Sequence, residues 1–95
     1  MTNASVSIYR ETTTWQGDAD TTLVGSYDVW NEEGYTVNVV GVDKKEKYKG
    51  VIFLFSDIDL TDCYITLNGK RYDIVASDRF VDERQDFHHI EFTYR

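Results

Sequence analysis

The sequence predicts an all-β protein, a small antiparallel β-barrel or sandwich of about six strands with long polar loops. Nearly every apolar segment alternates with a period of two residues, and none sustains the 3.6-residue period of a helix. An Asn68-Gly69 pair joins two such segments, and this dipeptide is the strongest short-range signal of a β-hairpin. Aromatic residues, which favour strands, make up 15% of the 95 residues.

The early segments predict strands with one apolar face each. Val6 and Ile8 share a face of the first strand, and Tyr27 and Val29 share a face of the second, Leu23–Trp30. Val51–Phe55 is apolar on both faces, which is typical of a central strand. The segment Gly34–Val42, which lies between the second strand and Val51–Phe55, is predicted to place Tyr35, Val37 and Val39 on one face.

The hairpin around Asn68-Gly69 can be assigned a register. With a two-residue turn, Leu67 pairs with Lys70, Ile65 with Tyr72, and Cys63 with Ile74. The apolar residues of both strands then share one face, and this agreement between turn and alternation specifies the register strongly. The predicted apolar face consists of Cys63, Ile65, Leu67, Tyr72 and Ile74.

The last strand opens with His88-His89 and also alternates. Its apolar face is predicted to carry His88, Ile90, Phe92 and Tyr94. Because neighbouring strand residues point to opposite faces, the two histidines are not expected to share one metal ion. A structural role is therefore predicted for His88.

Three polar segments between the strands are predicted to be loops. They are Thr12–Thr22, Asp43–Gly50 and Ser77–Phe87. The lysines of the second segment are interrupted by acidic residues, which favours a solvated loop over an anion site.

The remaining polar residues do not predict catalysis, a metal or a cofactor. An EF-hand loop starting at Asp57 would need Gly at its sixth position and Glu at its twelfth, which are Asp62 and Asn68. Cys63, the only cysteine, excludes an internal disulfide, and its apolar face favours a packing role over a nucleophilic one. The protein is therefore not expected to be an enzyme.

Length and charge limit the partners further. A chain of this length is expected to form one domain, residues 1–95, and no apolar run approaches the roughly 20 residues that span a bilayer. The N-terminus lacks the regions of a secretory signal, which favours synthesis in a cytoplasm. The net charge of −7 argues against nucleic-acid binding, which depends on Lys and Arg neutralising phosphates.

The order of segments in Gly50–Arg95 resembles the head-completion, or head-to-tail joining (stopper), proteins of tailed bacteriophages. The segments are the apolar strand VIFLF, the acidic turn SDIDLTD, the hairpin CYITLNGKRYDIV, a polar loop and the closing strand HHIEFTYR. In that family an aspartate-containing turn leads into a G-K-x-Y-x-I/V hairpin, and the last strand opens with an aromatic or histidine pair. The matching residues are Gly69, Lys70, Tyr72, Ile74, His88, His89, Ile90 and Arg95.

The resemblance implies a virion protein of the phage neck, assembled in the host cytoplasm. Such proteins form a ring between the portal or adaptor proteins and the tail, retain the packaged DNA and dock the tail. An acidic lumen would let double-stranded DNA pass without specific binding. Loop residues are then expected to make the subunit and partner contacts: Trp15, Asp18, Asp20, Trp30, Lys44, Lys45, Lys47, Tyr48, Arg79, Phe80 and Arg84.

Two alternatives remain open from the sequence. An aromatic-rich antiparallel chain of this size also suits a small OB-like barrel that binds oligosaccharide or single-stranded nucleic acid. A tail-completion or tail-terminator protein is the other alternative, and it would be favoured by helices packed on a sheet.

Overall fold

The structure, a computed structural model, describes residues 1–34, 36–39 and 44–95, with side chains for 1–34 and 48–95. These ranges contain eight strands and no helix. The strands are β1 (Ala4–Thr13), β2 (Ala19–Glu33), β3 (Thr36–Val39), β4 (Lys44–Lys47), β5 (Gly50–Leu54), β6 (Cys63–Leu67), β7 (Lys70–Val81) and β8 (Phe87–Tyr94).

Six of the strands close into a barrel, which confirms the predicted fold class. Their order is β1-β2-β5-β8-β7-β6, and β6 pairs with β1 to complete the circle. Every neighbouring pair is antiparallel. Strands β3 and β4 form a separate antiparallel pair, inserted in the chain between β2 and β5.

The core lies inside the barrel and follows the alternation seen in the sequence. In β8, residues Ile90, Phe92 and Tyr94 are buried and the residues between them are more exposed. Burying one such side chain contributes roughly 1.5–3 kcal/mol, so the inward positions of the six strands dominate stability. The core residues are Val6, Ile8, Val29, Ile52, Leu54, Ile65, Leu67, Ile90, Phe92 and Tyr94.

The β6–β7 hairpin has the predicted turn and register. Asn68 and Gly69 both have positive φ, at 53° and 78°, as a two-residue hairpin turn requires. Leu67 pairs with Lys70 and Ile65 with Tyr72. The ladder ends at Tyr64 and Asp73, and Cys63 and Ile74 are the next positions of the same register. On its other side, Cys63 pairs with Arg10 of β1.

The prediction of loops for the three polar segments is wrong, because each of them contains strand residues. Thr12–Thr22 contains the ends of β1 and β2, and Ser77–Phe87 contains the end of β7. Lys44–Lys47 is strand β4. The predicted common face of Tyr35, Val37 and Val39 lies outside the described side chains, although Thr36–Val39 is a strand as expected.

Three β-bulges interrupt the ladders. Val24 is the extra residue of β2, opposite the step from Ile8 to Tyr9. Val75 and His88 are the extra residues of β7 and β8. A bulge puts two residues opposite one and changes side-chain direction locally, so alternation cannot be extended through these positions.

Candidate assembly surface

Three segments meet at one end of the barrel. Because adjacent strands are antiparallel, the β1–β2 turn, residues 55–62 and the β7–β8 turn must lie at the same end, which we call the arm end. The β2–β5 connection, the Asn68-Gly69 turn and both chain termini belong to the other end. The two arms are the two-stranded ribbons that continue beyond the six-stranded barrel, residues 11–22 and residues 80–89.

The β1–β2 arm is an ordered hairpin. The amide of Thr14 donates to the carbonyl of Asp18 at 2.8 Å, and the Asp18 amide donates to Thr14 Oγ1 at 3.2 Å. Gly17 completes the turn with a φ of 88°. The turn leaves Trp15 92% exposed at the tip.

The β7–β8 arm is closed by an aspartate. Asp82 Oδ1 accepts hydrogen bonds from the amides of Arg84 and Asp86, at 2.8 and 3.0 Å. Gln85, with a φ of 67°, takes the left-handed position in this turn. The arm therefore has a defined tip, although all residues of β7 from Val75 to Val81 are exposed.

The segment 55–62 crosses the arm end and is tied to both sides of the barrel. Asp57 forms a two-point ion pair with Arg79 of β7, with distances of 2.9 and 2.8 Å. On the other side, the Arg10 guanidinium donates to the carbonyls of Thr61 and Asp59. Ile58 and Leu60 pack against the core. A cleft of about 460 Å³ remains between this segment and the strands, lined by Asp57, Ile58, Asp59, Leu60, Ser77, Arg79 and Ile90.

Hydrogen bonding sets the ionisation of the aspartates in this segment. The hydrogen bonds from Arg79 hold the pKa of the Asp57 carboxyl below its ordinary value. Hydrogen bonds from the hydroxyl and amide of Thr61 lower the pKa of Asp59. These carboxylates have structural partners, and within the described residues no three His, Cys, Asp or Glu side chains are placed to hold a metal ion.

Cys63 is half-buried beside the same segment. Its thiol lies 3.4 Å from the Thr61 carbonyl oxygen, and desolvation raises its pKa. A raised pKa disfavours the thiolate form of this side chain. The residue packs against the core, as the sequence indicates.

The two histidines meet, contrary to the prediction from alternation. Their Nδ1 atoms are 2.7 Å apart, and His89 also lies 3.1 Å from Glu91 through Nε2. His88 is the bulge residue of β8, so the two adjacent side chains are no longer directed to opposite faces. His88 is exposed and does not share the core face of Ile90, which is the second correction at this strand.

The charge of the chain is concentrated at the arm end. Residues 11–21, 55–62 and 77–87 contain ten carboxylates and two arginines, a formal charge of −8. The whole chain has a charge of −7, so the rest of the molecule is close to neutral. This distribution was not predicted, because it requires knowing that the three segments share one end.

The predicted contact residues fall into three groups. The arms and the adjoining part of β7 hold Trp15, Asp18, Asp20, Arg79, Phe80 and Arg84. Trp30 lies in the part of β2 that pairs with β5, where it is half-buried and donates a hydrogen bond to Glu32. Tyr48 precedes β5, so neither residue is at the arm end. Strand β4 contains Lys44, Lys45 and Lys47, whose side chains lie outside the described ones.

The structure also exposes apolar residues that the sequence analysis did not select. Leu23 is 55% exposed on β2, and Val75 and Val81 are 37% and 39% exposed on β7. Each had been assigned to a strand or loop by local pattern alone. Their exposure follows from the ribbons leaving the barrel, which local alternation does not reveal.

Comparison of the chain with protein-family models, curated proteins and solved structures finds no match. The described residues include no helix with the length and apolarity needed to cross a membrane.

Proposed function

We propose that the chain is a structural protein of the phage neck, located in the virion and assembled in the host cytoplasm. It forms a ring between the portal or adaptor proteins and the tail, retains the packaged DNA and docks the tail. The observation that carries this proposal is the arm end, where two exposed ribbons project from a closed barrel and present Trp15 and Phe80. Exposed aromatic anchors on a rigid scaffold are typical of macromolecular contacts.

The charge distribution supports the same role. An arm end of formal charge −8 that lined or bordered a channel would repel the phosphates of packaged DNA. The genome would then move through the ring without adhering to it. A sequence-specific contact with DNA is not part of the proposal.

The described geometry favours the neck ring over the two alternatives. A tail-completion protein was expected to pack helices on a sheet, and the described residues form strands only. An OB-like binding barrel needs free aromatic rings on the strands of one barrel face, where they stack with sugars or bases. The outer-face pair Tyr9 and Tyr64 stack on each other at 5.3 Å, and Arg71 lies 3.8 Å above the Tyr64 ring, so these faces are already in contact.

The test is a deletion of the gene in the phage that encodes it. The expected result is DNA-filled heads that lose DNA and lack tails, with rescue by the wild-type gene supplied in trans. Quantitative mass spectrometry of complete particles should find the chain at a ring stoichiometry related to that of the portal. Normal infectious particles from the deletion, or absence of the chain from purified particles, would overturn the proposal.

A further inference from the structure

Two strand edges at the arm end are open over at least five residues each. Strand β2 pairs with β5 only from Val29 onward, so its edge is free on that side over the preceding residues. Strand β7 pairs with β6 only up to Asp73, so the backbone of its continuation has no partner strand on that side, where the segment 55–62 reaches it through the Asp57–Arg79 ion pair. Among the described residues, no hydrogen bond reaches either open side of these two runs from another strand.

The open runs match in length. Bulges at Val24 and Val75 divide the two strands, and the regular runs between the bulges and the arm tips are Ala19–Leu23 and Ala76–Phe80. Each has five residues, about 17 Å of strand. About half of the backbone N–H and C=O groups of such a run point away from its partner strand, available to another strand.

Apart from the charged residue Asp20, the β2 run lacks the features that usually protect an open edge. Natural edges are blocked by lysine, proline or inward charge. The chain contains no proline, and residues 11–34 contain neither lysine nor arginine. The bulges lie outside the run, and all five of its residues are exposed.

Exposed apolar side chains lie on or beside the same two runs. Leu23 is 55% exposed on β2, and Phe80 and Val81 are 40% and 39% exposed on β7. Such side chains would pack across a newly formed strand pair, as cross-strand neighbours do within a sheet. On both strands, the open edge and the exposed apolar side chains therefore lie together.

The two edges face opposite sides of the barrel. The strand order around the barrel is β1-β2-β5-β8-β7-β6. The open side of β2 is the side next to β5, and the open side of β7 is the side next to β6. These two positions are half a turn apart around the barrel axis. Strand β7 runs towards the arm end and β2 runs away from it. In a ring whose subunits have the same orientation, β2 of one copy and β7 of the next would therefore be antiparallel.

From this we infer that the chain assembles by strand addition between copies, with the β2 run Ala19–Leu23 of one copy pairing with the β7 run Ala76–Phe80 of its neighbour. The occupant of each edge is a second copy of this chain. Because the two surfaces differ, the contact is heterologous and can close into a ring. The inference rests on the proposed ring and specifies how its subunits join.

Cross-linking between single cysteines tests the pairing. In a Cys63→Ser background, Thr21→Cys labels the β2 run and Ser77→Cys labels the β7 run, and a short bis-maleimide joins cysteines that lie close together. Heterologous pairing predicts cross-linked dimers when the two variants are mixed and none from either variant alone. The double variant should give a ladder of larger products. Ser5→Cys, an exposed position at the other end of β1, is the matched control in each mixture.

A lysine placed beside the open β2 edge provides a second test, in which self-association is measured. Leu23→Lys is expected to weaken self-association by at least about tenfold in sedimentation equilibrium, because a lysine beside the edge opposes strand addition. Ser5→Lys adds the same charge away from the edges and should leave association unchanged. Circular dichroism and urea unfolding of both variants establish that each is folded.

Three results would overturn the inference. They are cross-links from Thr21→Cys alone, no cross-links in the mixture, and equal association of the Leu23→Lys and Ser5→Lys variants. If the chain is nevertheless found in particles at ring stoichiometry, the proposed function stands and only the mode of pairing fails. Cross-links in the mixture from a protein that is absent from particles would support the pairing and overturn the function.

Discussion

At the scale of single residues, Gly50 is a position where the fold leaves no room for a side chain. A Cβ on Gly50 would lie 2.5 Å from the carbonyl oxygen of Glu32 and 2.8 Å from the hydroxyl of Tyr94. The first contact is with backbone in the paired strand β2, which cannot move without opening the β2–β5 ladder. We expect Gly50→Ala to lower the free energy of unfolding by about 1–3 kcal/mol, measured by urea denaturation.

Gly25 provides the matched control for this substitution. Its Cβ would also be close to another group, but that group is the outer end of the Tyr27 side chain, with the hydroxyl at 2.7 Å and two ring carbons at 2.8 and 3.0 Å. A side-chain end can rotate away, and alanine lowers the entropy of the unfolded chain. Gly25→Ala is expected to change stability by less than about 1 kcal/mol, and an equal loss in both variants would contradict the explanation.

The Asp57–Arg79 ion pair makes stability depend on pH in the acid range. The pKa of Asp57 is lowered from its ordinary value of 3.8 by hydrogen bonding to Arg79, so the unfolded state binds more protons below neutrality. The contribution of the pair is therefore present above pH 3.8 and lost as the pH falls through the folded pKa. Asp57→Asn should reduce the rise of the urea midpoint between acid and neutral pH.

Asp18→Asn is the control for this pH profile. It removes one carboxylate from the exposed tip of the β1–β2 arm, so it reproduces the change in net charge without removing the ion pair. Its profile is expected to follow that of the wild type. If Asp57→Asn and Asp18→Asn gave the same profile, net charge rather than the ion pair would account for the dependence.

The histidine pair shows where residue-level prediction from the sequence fails. Alternation places His88 and His89 on opposite faces, and the register of β7 with β8 inserts a bulge at His88. The bulge depends on pairing with Phe80 and Val81 of another strand, so it is not visible in the local sequence. His89 is instead held by stacking on Phe80, with ring centroids 4.8 Å apart.

At the scale of elements, the arms are expected to be dispensable for the barrel. Glu11 and Thr21 are cross-strand partners, so replacing Thr12–Asp20 by Asn-Gly would close β1 and β2 with a two-residue turn. The removed residues are exposed, and the free energy of unfolding should change by no more than about 1 kcal/mol. Urea unfolding, followed by near-ultraviolet circular dichroism, provides the measurement.

The shortened variant separates the barrel from its assembly surface. It lacks Trp15 and the first two residues of the open β2 run, Ala19 and Asp20, so it should remain folded and fail to complement the gene deletion. A matched change at the other end, Asn68→Gly in the β6–β7 turn, keeps both arms and should complement. A shortened variant that unfolds at much lower urea would show that the arm stabilises the barrel.

The elements that the sequence predicted well are those specified by local residues. The Asn68-Gly69 turn and the alternation of β6 and β7 agree with each other, and the predicted register is confirmed from Leu67 to Tyr64. The prediction of loops at the arms rests on the small polar and acidic residues of Thr12–Thr22 and on the charge of Ser77–Phe87, which is too high for a core strand. A ribbon outside the barrel is solvated on both faces, so it needs no apolar face to be a strand.

At the scale of the whole molecule, barrel closure was beyond prediction from one sequence. The β1–β6 and β5–β8 pairings join segments far apart in the chain, and no turn residue specifies them. The apolar character of Val51–Phe55 on both faces did predict a central strand, and β5 lies between β2 and β8. The gathering of charge at the arm end follows from this closure.

That gathering of charge leads to a prediction about DNA. The wild-type chain is expected not to bind a short double-stranded DNA in fluorescence anisotropy at low salt, because ten carboxylates surround the exposed arms. The triple variant Asp18→Lys, Asp20→Lys, Glu83→Lys places three new lysines on the arms. It should bind this DNA with an affinity that falls about linearly with the logarithm of salt concentration, since each lysine releases counterions from phosphates.

A second triple variant distinguishes arm charge from total charge. Asp28→Lys, Glu33→Lys and Asp73→Lys make the same change in net charge on exposed residues outside the arms. If the arm end borders the DNA channel through its acidic field, the arm variant should bind at least about tenfold more tightly than this control at equal salt. In the phage, the arm variant should also package or eject DNA more slowly than the control. Equal binding by the two variants, or binding by the wild type, would mean that the location of the charge on the arms has no bearing on DNA passage.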